Sequence, residues 1–186
     1  MVFHGTRLKY FGIETLSSAL LNAVLAEYCA LTPTCAHEAF NAANGDPTTW
    51  SRVLPAVAAY FSTPVASNSV LSQQGEFPVR SVSDLPAPRD PSEHGVFELR
   101  LSLEQWAKQE RVRAAWDRLA AREGLDRAVF YEASWGFADG VASMQHEIIL
   151  DMGKARRFGF HATVDSVADF LEVMKTAQEL NFLPKH

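Results

Sequence analysis

Four side chains in this chain could carry proton-transfer chemistry. They are His4, Glu27, Tyr131 and His146. Glu27 is the only carboxylate inside a strongly apolar stretch, so it is either a general base or a residue that points outward or pairs with a cation. The two histidines could donate to a carbonyl or shuttle a proton, and each could equally be a capped or exposed residue. Tyr131 can donate a hydrogen bond without changing its charge.

Seven apolar or amphipathic side chains are candidates for the wall of a substrate-binding pocket. They are Phe3, Tyr10, Phe11, Tyr28, Trp135, Phe137 and Met144. Aromatic side chains offer large apolar faces, so a wall of this kind would bind an apolar small molecule. The alternative for each of them is an ordinary place in the hydrophobic core.

The motifs that usually hold nucleotides or metals are missing from the sequence. It contains no GxGxxG, no GxxxxGK[ST] and no GxSxG pattern. His146-Glu147 begins like the zinc motif HExxH, but Leu150 stands where the second histidine is required. No two histidines are four residues apart, so we predict no metal ligands. Because the nucleotide-binding motifs are missing, we also predict no cofactor-binding residues and no cofactor.

Composition favours one globular domain over residues 1–186. The chain is 47% hydrophobic and 21% charged, with a net charge of −5. It therefore lacks the excess of positive charge with which proteins bind nucleic acid or an anionic membrane surface. The longest apolar stretch, residues 15–34, is interrupted by Ser17, Asn22 and Glu27, which argues against a membrane span. Cys29 and Cys35 form no CxxC motif and are predicted to be free thiols in a cytoplasmic protein.

The pattern of apolar residues predicts a mostly α fold with a few short strands. Helices are expected over about 15–30, 46–61, 102–123, 130–150, 152–158 and 165–180, with caps and glycines at several ends. The segment 130–150 is either one helix or two short ones. The proline-rich segment 62–98 lacks apolar periodicity and is predicted to be a long surface loop.

Several segments together resemble one enzyme family. Phe3-His4-Gly5-Thr6 resembles its F-P-G-T segment, and residues 38–46 followed by Trp50 resemble its E-A-F-N-x-x-N-G-D-x-x-x-W run. Trp135-Gly136-Phe137 resembles its W-x-F segment, and residues 151–160 resemble its S-M-x-K-x-x-x-x-G-F close. The order and spacing are similar to the C-terminal half of progesterone 5β-reductase/iridoid synthase-like enzymes, which are extended short-chain dehydrogenases that reduce enones with NADPH.

The resemblance implies a truncated substrate-side domain without the nucleotide-binding half. That family's glycine loop and its catalytic tyrosine and lysine lie upstream of the matched segments, so none of those roles transfers to a residue here. What transfers is the helical substrate lobe, in which Trp135 and Phe137 match the segment beside the family's substrate pocket. His4 stands where the family has proline and places a titratable group there.

Three functions are compatible with these observations. The leading hypothesis is a cofactor-independent cyclase or isomerase of secondary metabolism. It would hold an apolar, carbonyl-bearing metabolite in a reactive shape through geometry and hydrogen bonds. The chain would form a homodimer, in which the second copy covers the face that the missing nucleotide-binding half would cover. The second is an NADPH-dependent enone reductase fragment or subunit that needs another chain for its cofactor. The third is a non-enzymatic ligand-binding or scaffold module.

Overall fold

Helices make up most of the structure, a computed structural model that describes residues 1, 3–65, 79–87, 90–99, 101–144 and 146–185. The helices are α1 (Arg7–Phe11), α2 (Ala19–Leu31), α3 (Trp50–Tyr60), α4 (Leu103–Ala107), α5 (Glu110–Glu123), α6 (Ala128–Glu132), α7 (Trp135–Ala142), α8 (Gly153–Arg157) and α9 (Ser166–Glu179), with a 3-10 turn at Pro33–Cys35. This confirms the mostly α prediction. Within the described residues, no helix is long and apolar enough to cross a membrane.

Two antiparallel strands lie inside the segment that the sequence analysis treated as a loop. They are β1 (Val79–Ala87) and β2 (Asp90–Leu99), paired from Val79 with Leu99 to Val82 with Val96. The register shifts on either side of Pro86, where a residue without an N–H interrupts the ladder. The loop prediction rested on proline content and missing helical periodicity, neither of which reports cross-strand pairing. The predicted loop residues 66–78 and 88–89 lie outside the described residues.

Helix α2 buries one face and exposes the other. Leu21 and Leu25 pack with Ala43, Met152, Ala155 and Phe160 in one hydrophobic cluster. On the opposite face, Leu20, Val24 and Leu31 are exposed. The helix begins after Ser18, whose hydroxyl accepts a hydrogen bond from the Leu21 N–H.

The segment Asn44-Gly45-Asp46 is hydrogen-bonded to the starts of two helices, α2 and α9. The Asn44 amide accepts from the Ser18 N–H at 2.6 Å and donates to the Ser166 hydroxyl at 3.0 Å. The Asp46 carboxylate accepts from the Ser166 N–H at 2.9 Å, at the start of α9. The sequence analysis predicted a helix that begins at about residue 46, but that helix, α3, begins only at Trp50. Gly45, between Asn44 and Asp46, has a φ of +87°, a backbone conformation that residues with a side chain rarely adopt.

A short ladder ties the N-terminal segment to the residues after α7. Glu14 bridges to Thr48 in antiparallel pairing and to Ile148 in parallel pairing. Thr15 adds a backbone bond from its N–H to the Ile148 carbonyl at 3.0 Å. The ladder therefore ties the residues that follow α1 to the residues that follow α7.

Candidate functional site

One face of α7 is apolar and open. Phe137 is 75% exposed, and a Cβ added at Gly140 would meet no atom within 4 Å. Val141 is half-buried and falls on the same side of the helix as Phe137 by its spacing of four residues, and the half-buried Met144 follows just after the helix ends. We call Phe137, Gly140, Val141 and Met144 the open α7 face.

The N-terminal segment runs along the neighbouring side of α7. The Thr6 N–H donates to the Ala142 carbonyl at 3.0 Å. Gly5 is required there, because a Cβ would come within 2.5 Å of the same carbonyl oxygen. His4 lies one turn earlier, with its Nε2 atom 3.4 Å from the Ala138 carbonyl oxygen. This packing places the His4 imidazole at the edge of the open α7 face.

The His4 contact also defines its tautomer. A carbonyl oxygen only accepts, so Nε2 carries the proton and Nδ1 of the neutral ring is an acceptor. Burial lowers the pKa of His4 below its ordinary value of 6.5, against the opposing effects of the Ala138 carbonyl and the Asp139 carboxylate. At neutral pH His4 is therefore a neutral imidazole that can act as a base.

The lowered pKa of His4 predicts a specific loss of stability in acid. Because the folded state binds the proton less readily than the unfolded state, protonation favours unfolding as pH falls through 6.5. We expect the wild type to lose more stability than His4→Gln between pH 7.5 and pH 5, measured as the free energy of unfolding in urea. If the free energy of unfolding changed equally with pH in the two proteins, this result would contradict a lowered pKa of His4 in the folded state.

Phe3 and Tyr10 lie in the hydrophobic core. Both are buried, with ring centroids 5.2 Å apart, and Trp50 and Leu54 pack against them. This is the alternative that the sequence analysis left open for them. Phe11 is exposed instead, with its ring edge-on to Tyr10 at 4.8 Å.

A buried ion pair lies beside Met144 and was not predicted from the sequence. The Lys9 ammonium contacts the Glu14 carboxylate, with side chains only 1% and 8% exposed. Lys9 Nζ is also 4.0 Å from Met144 Sδ. The Thr48 hydroxyl nearby on the ladder is buried without a hydrogen-bond partner. No spacing rule links a lysine and a glutamate five residues apart, so nothing in the sequence signals the pair.

Trp135 belongs to an aromatic cluster on the other side of α7. Its ring lies 5.8 Å from Trp106 and 5.2 Å from Phe130, and its indole N–H donates to the Phe130 carbonyl at 2.9 Å. A cleft of about 310 Å³ beside the cluster is lined by Trp135 and Tyr131 and by the charged residues Glu104, Lys108 and Arg113. The charged rim fits an apolar carbonyl compound poorly, so we assign the cluster mainly to packing.

Asp139 holds α4 against α7 and was not among the predicted site residues. Its carboxylate accepts from the Ser102 hydroxyl at 2.8 Å and from the backbone N–H groups of Leu103 and Glu104 at 2.8 and 3.1 Å. These groups form the start of α4, so a side chain of α7 caps a helix 36 residues earlier. Only its place two residues after the W-x-F segment could have drawn attention to it.

The remaining predicted site residues lie on other parts of the structure. Tyr131 is exposed and donates its hydroxyl to Asp117 at 3.0 Å. Tyr28 donates to the Phe158 carbonyl at 2.7 Å and packs on Phe160 in the α2 core. Glu27 and His146 are exposed. Among the candidates, His4 lies beside Phe3, with ring centroids 5.6 Å apart, and beside α7, which carries Phe137 and precedes Met144. Tyr28 and Tyr131 lie on other parts of the structure.

Comparison with known proteins adds a family context. No protein-family profile matches the chain. A short-chain dehydrogenase of Penicillium aethiopicum, gsfE, is 30% identical over 183 residues, which cover 97% of this chain and 44% of that protein. The chain is similar to part of a short-chain dehydrogenase. An uncharacterized protein of Schizosaccharomyces pombe is 28% identical over 195 residues, 99% of this chain and 47% of that protein. The chain thus spans less than half the length of either relative.

The described residues also offer little for a metal ion. No group of three or more histidine, cysteine, aspartate or glutamate side chains is arranged to hold one in the part of the chain that the structure describes.

Proposed function

We propose that this chain forms the substrate-binding side of a short-chain dehydrogenase of the progesterone 5β-reductase/iridoid synthase-like type, and that the substrate is an apolar, carbonyl-bearing metabolite. The observation that carries the proposal is the open α7 face, an exposed apolar surface beside a neutral histidine. Similarity to less than half of a short-chain dehydrogenase supports it, because such enzymes need a nucleotide-binding half as well.

The shape of the open α7 face explains why a second surface is needed. Small-molecule sites usually bury most of the ligand's surface, whereas this face leaves Phe137 75% exposed. Further apolar side chains on and after α1 are also exposed, namely Leu8, Phe11 and Ile13. In the proposed arrangement, a nucleotide-binding lobe covers these residues, encloses the substrate against α7 and excludes water from it.

His4 is the candidate group for recognition of the carbonyl. Its ring nitrogens are the titratable atoms at the edge of the open α7 face, and the imidazole is neutral at pH 7 because burial lowers its pKa. A neutral imidazole that rotates away from Ala138 can donate its Nε2 proton to a substrate oxygen. A donor of this kind is worth about 2–4 kcal/mol when charge develops on that oxygen.

His4 also supports a second candidate function, the cofactor-independent isomerase or cyclase. The Nδ1 atom of its neutral ring can accept a proton from the carbon next to a carbonyl, and donation back at a different carbon moves the double bond. In that arrangement a second copy of the chain would cover the open α7 face. Ligand binding without turnover would correspond to a non-enzymatic binding module.

Substitutions on the two sides of α7 separate binding from packing. We expect Phe137→Ala to weaken binding of the apolar enone β-ionone by about tenfold, because roughly 1.4 kcal/mol of apolar contact is lost. The melting temperature should hardly change, since Phe137 is 75% exposed. Trp135→Ala should instead cost about 3 kcal/mol of stability, because its ring packs on Trp106 and Phe130. Equilibrium dialysis and urea unfolding give the two readouts.

Leu31→Ala is the matched control, since Leu31 is also 75% exposed but lies on α2. Equal enone binding by wild type and Phe137→Ala would exclude the open α7 face as the site. Titration of the purified chain with NADPH, followed by nicotinamide fluorescence, then distinguishes the candidates. Tight NADPH binding by this chain alone would contradict the need for a second lobe, and double-bond migration in the enone without NADPH would favour the isomerase.

A further inference from the structure

The cleft beside the aromatic cluster of α7 combines an aromatic wall with charged groups. It has a volume of about 310 Å³ and is lined by residues of α4, α5, α6 and the start of α7. Phe130, Tyr131 and Trp135 form the wall, and the Phe130 ring centroid lies 5.5 Å from that of Tyr131 and 5.2 Å from that of Trp135. Ligand pockets measure about 300–1,000 Å³, so the cleft has room for a small molecule with one aromatic ring.

Hydrogen bonds restrain the aromatic wall of the cleft. The Trp135 indole N–H donates to the Phe130 carbonyl at 2.9 Å, and the Tyr131 hydroxyl donates to the Asp117 carboxylate at 3.0 Å. Asp117 is itself paired with Arg127 at 2.8 Å. Because the polar atoms of the wall already have partners, the wall offers a ligand mainly its ring surfaces. Because the rings are restrained before binding, little further ordering is needed when a ligand packs on them.

Arg113 contributes a guanidinium group to the same cleft. Its Nε–H donates to the Ala107 carbonyl at 3.2 Å, which restrains the orientation of the guanidinium plane. No carboxylate of the described residues forms an ion pair with Arg113. Its two Nη groups therefore keep four N–H donors in one plane, an arrangement that binds both oxygens of a carboxylate.

The other two charged groups of the cleft are paired with each other. The Lys108 ammonium lies 2.7 Å from the Glu104 carboxylate, and the side chains are 56% and 48% exposed, so water screens both charges. One positive charge is left over in the cleft, and Arg113 carries it. A ring wall with one unpaired guanidinium is complementary to an aromatic ring that bears one carboxylate.

We propose that this cleft is a binding site for a small aromatic carboxylate, with the ring against Tyr131 and Trp135 and the carboxylate on the Nη groups of Arg113. Trp135 and Phe137 lie on opposite sides of α7, so this site is separate from the open α7 face. An uncharged aromatic compound keeps the contacts with the wall but loses the pair with Arg113. Recognition therefore depends on the ring and on the charge together.

A titration of the purified full chain with trans-cinnamate, followed by the indole N–H signals in NMR spectra, tests the site. We expect the Trp135 signal, identified by its loss in Trp135→Phe, to shift in a saturable way with a dissociation constant below about 1 mM. The Trp50 signal should stay in place, because Trp50 packs on Phe3 and Phe170 and does not line the cleft. Cinnamamide has the same ring without the charge and should bind about tenfold more weakly.

Variants separate the contact with the carboxylate from the contact with the ring. Arg113→Gln should weaken cinnamate binding by about tenfold and leave cinnamamide binding unchanged, because only the carboxylate contacts the guanidinium. Tyr131→Ala should weaken the binding of both compounds by a similar factor, because they share the ring. Arg118→Gln is the matched control, since it also removes a positive charge from α5 but does not line the cleft, and it should bind cinnamate like the wild type.

Four results would overturn the proposal. They are a Trp135 signal that does not shift in a saturable way, equal affinities for cinnamate and cinnamamide, an equal cinnamate affinity of Arg113→Gln and Arg118→Gln, and a loss of cinnamate binding in Phe137→Ala. The last result would place the ligand at the open α7 face instead. Since Phe137→Ala is expected to weaken binding of β-ionone but not of cinnamate, the two sites are tested independently.

Discussion

Lys9→Met is expected to lower the free energy of unfolding by about 3–5 kcal/mol, the largest single effect that we predict for this chain. The substitution keeps the length of the side chain but removes its charge. Glu14 would then remain as a buried carboxylate, 8% exposed, without its cation. Glu14→Gln leaves the Lys9 ammonium in the same position and should cost a similar amount.

The size of this effect follows from the place of the pair in the fold. Glu14 lies on the ladder that joins Thr48 and Ile148, and Lys9 reaches Met144 from α1. A charge left alone there cannot reach water without opening the ladder, so its desolvation is not compensated. Loss of the pair should therefore loosen the contact between α1 and the end of α7, which supports the open α7 face.

Urea unfolding followed by far-UV circular dichroism measures the effect, and two further variants make it specific. Lys108→Met removes the cation of the Lys108–Glu104 pair, whose side chains are 56% and 48% exposed, and should change stability by no more than about 0.5 kcal/mol. The double variant with Lys9→Met and Glu14→Leu should recover most of the loss, because neither charge remains buried. A Lys9→Met protein as stable as Lys108→Met would show that the pair is hydrated in solution.

Asp139→Ala is expected to cost about 3–4 kcal/mol, the second largest effect. The carboxylate accepts three hydrogen bonds at the start of α4, from the Ser102 hydroxyl and the N–H groups of Leu103 and Glu104. Its removal leaves these donors without their partner inside the interface between α4 and α7, in addition to the loss of a favourable charge at a helix start. Asp139→Asn should cost less, because the amide oxygen still accepts.

The free energy of unfolding and the fluorescence of the Trp106–Trp135 contact report on this interface together. The rings lie 5.8 Å apart across α4 and α7, so separation of the helices should change the emission of Asp139→Ala before global unfolding. Asp165→Ala is the control, because Asp165 also caps a helix, α9, and its bond to the Ala168 N–H is exposed. It should cost about 1 kcal/mol without a change in emission. If Asp139→Ala and Asp165→Ala lowered the free energy of unfolding by the same amount, Asp139 would contribute no more than an ordinary helix cap.

The helical content of the fold was predictable from local patterns. Apolar residues three and four apart, together with local signals such as Gly124 at the end of α5, predicted most of the helices. The strands β1 and β2 were missed, because strand pairing depends on a partner segment and the prolines of this region suggested a loop. The helix predicted over 102–123 is divided into α4 and α5, and the segment 130–150, predicted as one helix or two short ones, holds the end of α6 and all of α7.

The candidate site was predictable only in part. His4, Phe137 and Met144 were chosen from the sequence and lie along α7 or beside it. Phe3 and Tyr10 were chosen on equal grounds and are core residues. An aromatic side chain has the same sequence signature in a wall and in a core, so residue type could not distinguish them.

Residue types and spacing thus established that the chain is mostly α and that its apolar aromatic residues are numerous enough for a substrate wall. The tertiary structure decided which aromatic residue faces outward, since Trp135 and Phe137 are two positions apart and lie on opposite sides of α7. It also decided that Lys9 meets Glu14 and that Asp139 caps α4. The physical reason is the same in each case. Burial, charge pairing and long-range capping depend on which distant segment packs against a residue, and local sequence carries no information on that partner.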